Sequence, residues 1–148
     1  MALLEINNLT KDFGGLRANE EVSFVLASGE VLGLIGPNGA GKTTLFNCLT
    51  GHYPVTSGTI HFNGEDITKL PAHEIARRGV VHVPEGRRIL RGLTVKENLE
   101  LGAFTVKDNA LRRQRLEEVY ELFPILHERR HQDGSLLSGG QQQMLAMG

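Results

Sequence analysis

Lys42, Thr43 and Thr44 follow directly on a glycine-rich turn, and their side chains together could handle a polyphosphate. Lys42 is a mobile cation able to reach outer phosphates. The Thr43 hydroxyl is a hard oxygen of the kind that ligates Mg²⁺. Thr44 can add a further hydrogen bond to phosphate. The turn before them is Gly36-Pro37-Asn38-Gly39-Ala40-Gly41, so the pattern G-x-x-x-x-G-K-[ST] fits at Gly36, Gly41, Lys42 and Thr43. Polyphosphate binding needs several donors converging on one point. Successive backbone N–H groups from Asn38, Gly39, Ala40 and Gly41 can supply them, and a helix N-terminus adds partial positive charge. Gly39 and Gly41 allow backbone angles and a close approach that a Cβ would block. Against a glycine-rich turn that binds nothing stands the placement of the motif between a strand and a helix.

Those flanking elements are legible. Residues 31–35, VLGLI, are apolar and suit a buried parallel strand, so residues 30–35 read as the strand feeding the loop. A helix runs from about Lys42 and ends at Gly51. Upstream, residues 3–9 alternate as a strand that Thr10-Lys11 continues, Asp12-Phe13-Gly14-Gly15 turns, and residues 21–26 read as a second strand. Ala27-Ser28-Gly29 reads as a hairpin-like turn. Residues 57–63 alternate again, and Asn63-Gly64 is a strong hairpin signal. These strands predict a small antiparallel sheet beside a nucleotide-binding core.

Further along, Pro71 suits the first turn of a helix and Gly79 its C-terminal stop, with Arg77 and Arg78 in the last turn. Residues 80–83 form a short apolar strand ending at Pro84. Thr94 and Glu97 make a capping-box pattern that opens a helix at about Val95. Asp108 can cap another helix, with Leu116, Val119, Tyr120 and Phe123 on one face, ended by Pro124. Arg112, Arg113 and Arg115 form its solvated face.

A chain of 148 residues suffices for one modest core. The net charge of −1 argues against a general nucleic-acid binder, so no nucleic acid is expected as partner. The single cysteine, Cys48, cannot form an internal disulfide and reads as a small buried hydrophobe in a reducing compartment. The N-terminal MALLEINNLTKDF alternates and is no signal peptide, and no apolar run reaches membrane-spanning length. The expectation is a soluble protein, or one that meets a membrane only through a partner.

A second signature stands near the C-terminus: Leu137-Ser138-Gly139-Gly140-Gln141, followed by Gln142-Gln143-Met144. Ser138 and Gln141 have the S-x-x-Q spacing of a capping box, which accounts for a helix start and nothing more. Downstream of a phosphate loop, the same residues mean more. The two motifs together resemble the ATP-binding cassette family, the ATPases of ABC transporters, and within it the ATPase subunits of branched-chain amino acid importers. FGGLRA and GPNGAGKTTLFNCLTG look like one ATPase paralogue of that importer. VPEGRR, LTVKENLELG and YELFPILHERR look like the other, and the character changes near Gly79.

The resemblance implies an α/β P-loop NTPase fold of the ABC ATPase type, with an antiparallel β subdomain and a helical subdomain. About residues 1–88 would be the β subdomain and phosphate-loop core, about 89–137 the helical subdomain, and 138–148 the start of the signature helix. Implied cofactors are ATP and Mg²⁺. Phe13 matches the aromatic that stacks on adenine, with a core or turn phenylalanine as the alternative. Gly36, Asn38, Gly39, Ala40, Gly41, Lys42, Thr43 and Thr44 would hold the phosphates, with Thr43 on the metal. Glu85 stands where most relatives have a glutamine that senses Mg²⁺ and the γ-phosphate. A carboxylate there can still accept from water or approach Mg²⁺, so Glu85 is the candidate catalytic and second metal residue. The counterparts of Ser138, Gly139, Gly140 and Gln141 contact the γ-phosphate bound by the opposite subunit.

Implied partners are therefore a second ABC ATPase subunit, membrane permease subunits that receive the helical subdomain, and indirectly a substrate-binding protein. The implied seat is peripheral, on the cytoplasmic face of the plasma membrane. The family continues past this signature into an apolar strand ending in Asp-Glu. The sequence stops at Gly148, which reads as a cassette truncated before the Walker B strand and inactive by itself. The implied function is ATP binding and hydrolysis that powers branched-chain amino acid uptake. The rivals are an unrelated P-loop kinase or GTPase, which residues 137–141 argue against, a binding-only or regulatory ABC-type module, and a non-functional remnant.

Overall fold

A computed structural model describes residues 2–84, 86 and 89–148. Glu85 lies outside the described residues. The chain divides into two compact units, Met1–His82 and Val83–Gly148. Among the described residues no helix is long and apolar enough to cross a membrane.

The first unit is built on a four-stranded antiparallel sheet in the order β2-β1-β3-β4. Strand β1 (Ala2–Phe13) turns through Gly14-Gly15 into β2 (Leu16–Ala27), and its other edge pairs with β3 (Ser57–Phe62). Ile6 faces Phe24 on one side and Ile60 on the other. Alternation on β1 sends Ile6 to the core while Asn7 stays exposed, as a half-buried strand requires. Asn63-Gly64 joins β3 to the two-residue β4 (Glu65–Asp66) with φ of 50° and 78°, the paired positive angles of a tight type I′ hairpin. Helices α1 (Lys42–Leu49) and α2 (Ala72–Arg77) complete the unit. Ile6, Leu9, Leu45, Cys48, Leu49, Ile60, Ile67 and Ile75 form one buried cluster. Gly79 takes φ of 99° after α2, and its N–H donates to the Ala76 carbonyl at 3.0 Å, the stop its position predicts.

Two expected strands do not form. Residues 30–35 and 80–83 have no regular structure, and Val31 is 96% and Ile35 93% exposed. Their apolar character suits burial, but a parallel strand takes its hydrogen bonds from neighbours on the same sheet. The four strands order themselves without either segment. The second strand also begins earlier than its apolar pattern suggests, at Leu16, because the hairpin through Gly14-Gly15 pairs Phe13 directly with Leu16.

The second unit is helical. Helix α3 (Val95–Gly102), α4 (Asn109–Leu122), α5 (Pro124–Glu128), a 3₁₀ turn (Gly134–Leu136) and α6 (Gly139–Met147) enclose Val95, Leu99, Tyr120, Leu126, Leu137 and Leu145. Asp108 caps α4 by accepting from the Ala110 and Leu111 N–H groups. Pro124 ends α4 and opens α5, since a proline is tolerated only in a first turn. An isolated bridge between Thr94 and Asp133 ties the start of α3 to the loop before α6.

Helix α3 opens with a capping box: the Thr94 hydroxyl accepts from the Glu97 N–H, and the Glu97 carboxylate accepts from the Thr94 N–H at 2.7 Å. The Thr94 N–H first, and then the Thr94 hydroxyl, which also donates to the carboxylate at 2.7 Å, hold the Glu97 carboxyl below its ordinary 4.5. A depressed folded value means that this box stabilises the unit above the unfolded carboxylate range and that the benefit is lost as pH falls through the folded value. Helix α6 uses the same box with Gln141, an amide that does not titrate. Between about pH 6 and pH 3, Glu97→Gln should therefore flatten part of the acid-induced fall in stability. Thermal unfolding across that range, wild type against variant, checks it; parallel curves would deny Glu97 the role.

Candidate functional site

The phosphate-loop motif occupies the turn that leads into α1. Residues 31–40 are exposed, Ala40 N–H donates to the Pro37 carbonyl at 3.2 Å, and Gly39 and Gly41 both have positive φ. Gly41 is the cap residue of α1, at φ of 84°. A Cβ there would strike the Ala18 carbonyl oxygen on β2, so position 41 needs glycine both for its angle and for the close approach of the strand. Being glycine, it offers no side-chain cap, and the first-turn N–H groups of α1 keep no capping acceptor from it.

Lys42 curls over the loop. Its Nζ donates to the Gly36 carbonyl at 2.6 Å and the Pro37 carbonyl at 2.8 Å. The cation is thereby held against the same backbone whose N–H groups form the candidate cradle. Thr43 is exposed on the first turn and Thr44 is half-buried. From the sheet, Asn19 donates through Nδ2 to the Gly41 carbonyl at 3.2 Å, an oxygen that also accepts the first α1 bond from Leu45. No local pattern in the sequence points to Asn19.

This donor set fits the phosphates of a nucleotide accompanied by Mg²⁺. An uncapped helix start and a fixed ammonium favour an anion. Thr43 offers one oxygen, and Mg²⁺ characteristically takes only one or two protein oxygens beside waters and phosphate. Among the described residues no group of three His, Cys, Asp or Glu could hold a metal by itself.

Phe13 is the last residue of β1 and is 41% exposed. Its ring meets Tyr53 edge-on at 5.3 Å between centroids, 85° between planes, and the Lys11 Nζ lies 4.7 Å from its centroid. Sequence reading singles out Phe13 but not these two. Alternation alone could not have found Lys11, because the register of β1 shifts between Lys11 and Asp12 and breaks the period of two before Phe13. Cys48 is buried in the core cluster, and that burial pushes its thiol up, with Lys11 pulling the other way.

The second signature lies in the helical unit. Ser138 caps α6: its Oγ accepts from the Gln141 N–H at 3.4 Å, and the Gln141 Oε1 accepts from the Ser138 N–H at 3.1 Å. Gln142 anchors the approach by donating to the Ser135 and Leu137 carbonyls, each at 3.0 Å. Ser138 and Gly140 are exposed. The motif thus presents a helix N-terminus whose first turn contains two glycines.

Comparison with known proteins adds the wider setting. A family model described as ABC transporter matches residues 19–148. The chain is 43% identical over 147 residues to the high-affinity branched-chain amino acid transport ATP-binding protein BraG of Pseudomonas aeruginosa, covering 99% of this chain and 62% of that protein. It is 40% identical over 144 residues to the lipopolysaccharide export system ATP-binding protein LptB of Escherichia coli, covering 96% of this chain and 59% of that one. It is 52% identical to the high-affinity branched-chain amino acid transport ATP-binding protein LivG of Salmonella typhimurium over 97 residues, 66% of this chain and 38% of that protein. A solved nucleotide-free ATP-binding cassette from an ABC transporter superposes with a TM-score of 0.85 at 30% identity, covering 99% of this chain and 63% of its own. The chain therefore spans about three-fifths of the length of BraG and LptB.

Proposed function

Since the chain belongs to the ABC transporter family, we propose that it binds Mg·ATP through Gly36–Thr44 and that the whole protein couples ATP binding and hydrolysis to uptake of branched-chain amino acids. The observation that supports the reading best is the loop itself. Glycines at 39 and 41 hold the backbone in the left-handed region, Lys42 is fixed against the loop, and an uncapped helix starts behind it. Bound ATP supplies the scissile phosphoanhydride, and Mg²⁺ neutralises its charge. Within this chain, the N–H groups of residues 38–44 orient the phosphates and Lys42 neutralises the outer ones. Thr43 places one oxygen on the ion, and Phe13 receives the base. Glu85 would sense the ion and the γ-phosphate.

The first-turn amides of Gly139 and Gly140, opened by the Ser138 cap, suit a γ-phosphate presented by a second ABC subunit. The helical unit would dock on permease subunits at the cytoplasmic face of the membrane, with a substrate-binding protein acting at one remove. The importer reading draws support from BraG and LivG. LptB, at 40% identity, supports a second reading in which the cargo is exported lipopolysaccharide.

Transport decides between them. The whole protein that contains this chain, expressed in cells lacking a branched-chain importer ATPase, should restore uptake of labelled leucine, and its Lys42→Ala variant should not. Restored lipopolysaccharide export without leucine uptake would replace the importer with the exporter.

A further inference from the structure

We infer that Lys11 is a positioning residue for the nucleotide base: a largely buried lysine whose ammonium contacts one face of Phe13 and ties down the segment bearing Tyr53, leaving the opposite face of the ring for a purine. The inference rests on the reading of Phe13 as the base-stacking residue and adds to it the residues that fix the ring.

Lysine is almost never fully buried unless paired, and Lys11 is only 8% exposed. It takes part in no ion pair among the described residues. Its Nζ has two partners instead. It donates to the Pro54 carbonyl at 2.7 Å and sits 4.7 Å from the Phe13 ring centroid. A lysine folded into the unit this far, with a carbonyl and a ring as the partners of its Nζ among the described residues, is held in one geometry instead of ranging over the surface. That fixed geometry is intelligible if the ring's position matters.

The geometry joins both halves of a platform through one side chain. Pro54 follows Tyr53, so the bond to its carbonyl fixes the chain at the point where Tyr53, itself 39% exposed, meets the edge of Phe13. A cation on one face draws on the ring's negative quadrupole, and an edge-on neighbour restrains rotation. Phe13 keeps 41% of its surface exposed beside that contact. An electron-rich heteroaromatic such as a purine then stacks on a ring that is both immobilised and polarised from behind. Pyrimidines, with less stacking area, gain less.

The prediction separates base from phosphate. On the full chain, calorimetry with ATP and with inorganic tripolyphosphate should show ATP bound more tightly. Lys11→Met keeps the stem and removes the charge; it should weaken ATP by roughly three- to thirtyfold while leaving tripolyphosphate unchanged. Lys11→Arg should restore part of that affinity, and Tyr53→Leu should show the same base-selective weakening, which covers the case in which the Met variant fails to fold. If wild type binds ATP no better than tripolyphosphate, the base-stacking reading of Phe13 itself falls. If Phe13→Ala abolishes the preference for ATP and neither Lys11→Met nor Tyr53→Leu reduces it, Phe13 keeps its role and the inference about Lys11 is wrong. Equal weakening for both ligands would also overturn it, since a merely structural defect has no reason to spare phosphate binding.

Discussion

Replacing Lys42 by alanine is expected to weaken ATP binding by about 10- to 150-fold. The substitution removes a charge-assisted hydrogen bond to phosphate, worth roughly 1.5–3 kcal/mol. In the structure the Lys42 ammonium spans the Gly36 and Pro37 carbonyls, so alanine also deletes two bonds that hold the loop closed. Those carbonyls are exposed and can turn to water. Thermal stability should accordingly change by no more than about 0.5 kcal/mol, the usual scale for a surface substitution. The two measurements together are diagnostic. Unchanged affinity by calorimetry would remove the phosphate loop from the functional reading. A large fall in melting temperature would mean that the loop is part of the stabilising core, contrary to its exposure.

The second large effect is on the state of the 148-residue chain in solution. Val31, Leu32, Leu34, Ile35 and Val81 are all exposed, and the first four lie within five consecutive residues with no partner strand. Covering one valine or isoleucine side chain completely contributes about 1.5–3 kcal/mol. Two per copy are thus comparable with the roughly 4 kcal/mol of a millimolar contact. An unpaired apolar segment also offers its backbone to a like segment. The chain purified by itself should associate at concentrations from about 0.1 mM upward, and the double variant Val31→Lys, Ile35→Lys should shift that onset at least about tenfold higher. Sedimentation velocity over that range gives the answer. A wild-type chain that stays monomeric and unfolds sharply would show that these side chains need no cover.

Elements whose stabilising contacts lie close in sequence were the legible ones. The Asn63-Gly64 hairpin, the Thr94 and Ser138 capping boxes and the Asp108 cap each depend on residues within a turn or two, and each forms where its pattern stands. The start of α1 behind Gly41 was legible for the same reason. Residues 30–35 and 80–83 were not. Apolar composition marks what a strand would bury, but pairing depends on neighbours that a local pattern cannot specify. At the site, the loop residues were readable one by one. The side chains that brace them were not, because Asn19 reaches Gly41 across 22 positions and Tyr53 reaches Phe13 across both β2 and α1.

The exposed apolar ribbon also bears on how the polypeptide is made. Its flanking elements, the β1–β2 hairpin and α1, close with contacts nearby in sequence, whereas the ribbon waits for whatever covers it. A ribosome adding about 5–20 residues per second needs roughly 6–23 s to proceed from position 35 to position 148. For the part of that interval after they leave the ribosome, Val31 and Ile35 await cover on a nascent chain, far longer than the microseconds in which hairpins and helices close. Such a segment is a natural landing place for a chaperone that holds extended apolar peptides. Its occupancy on translating ribosomes should fall when Val31 and Ile35 are made polar.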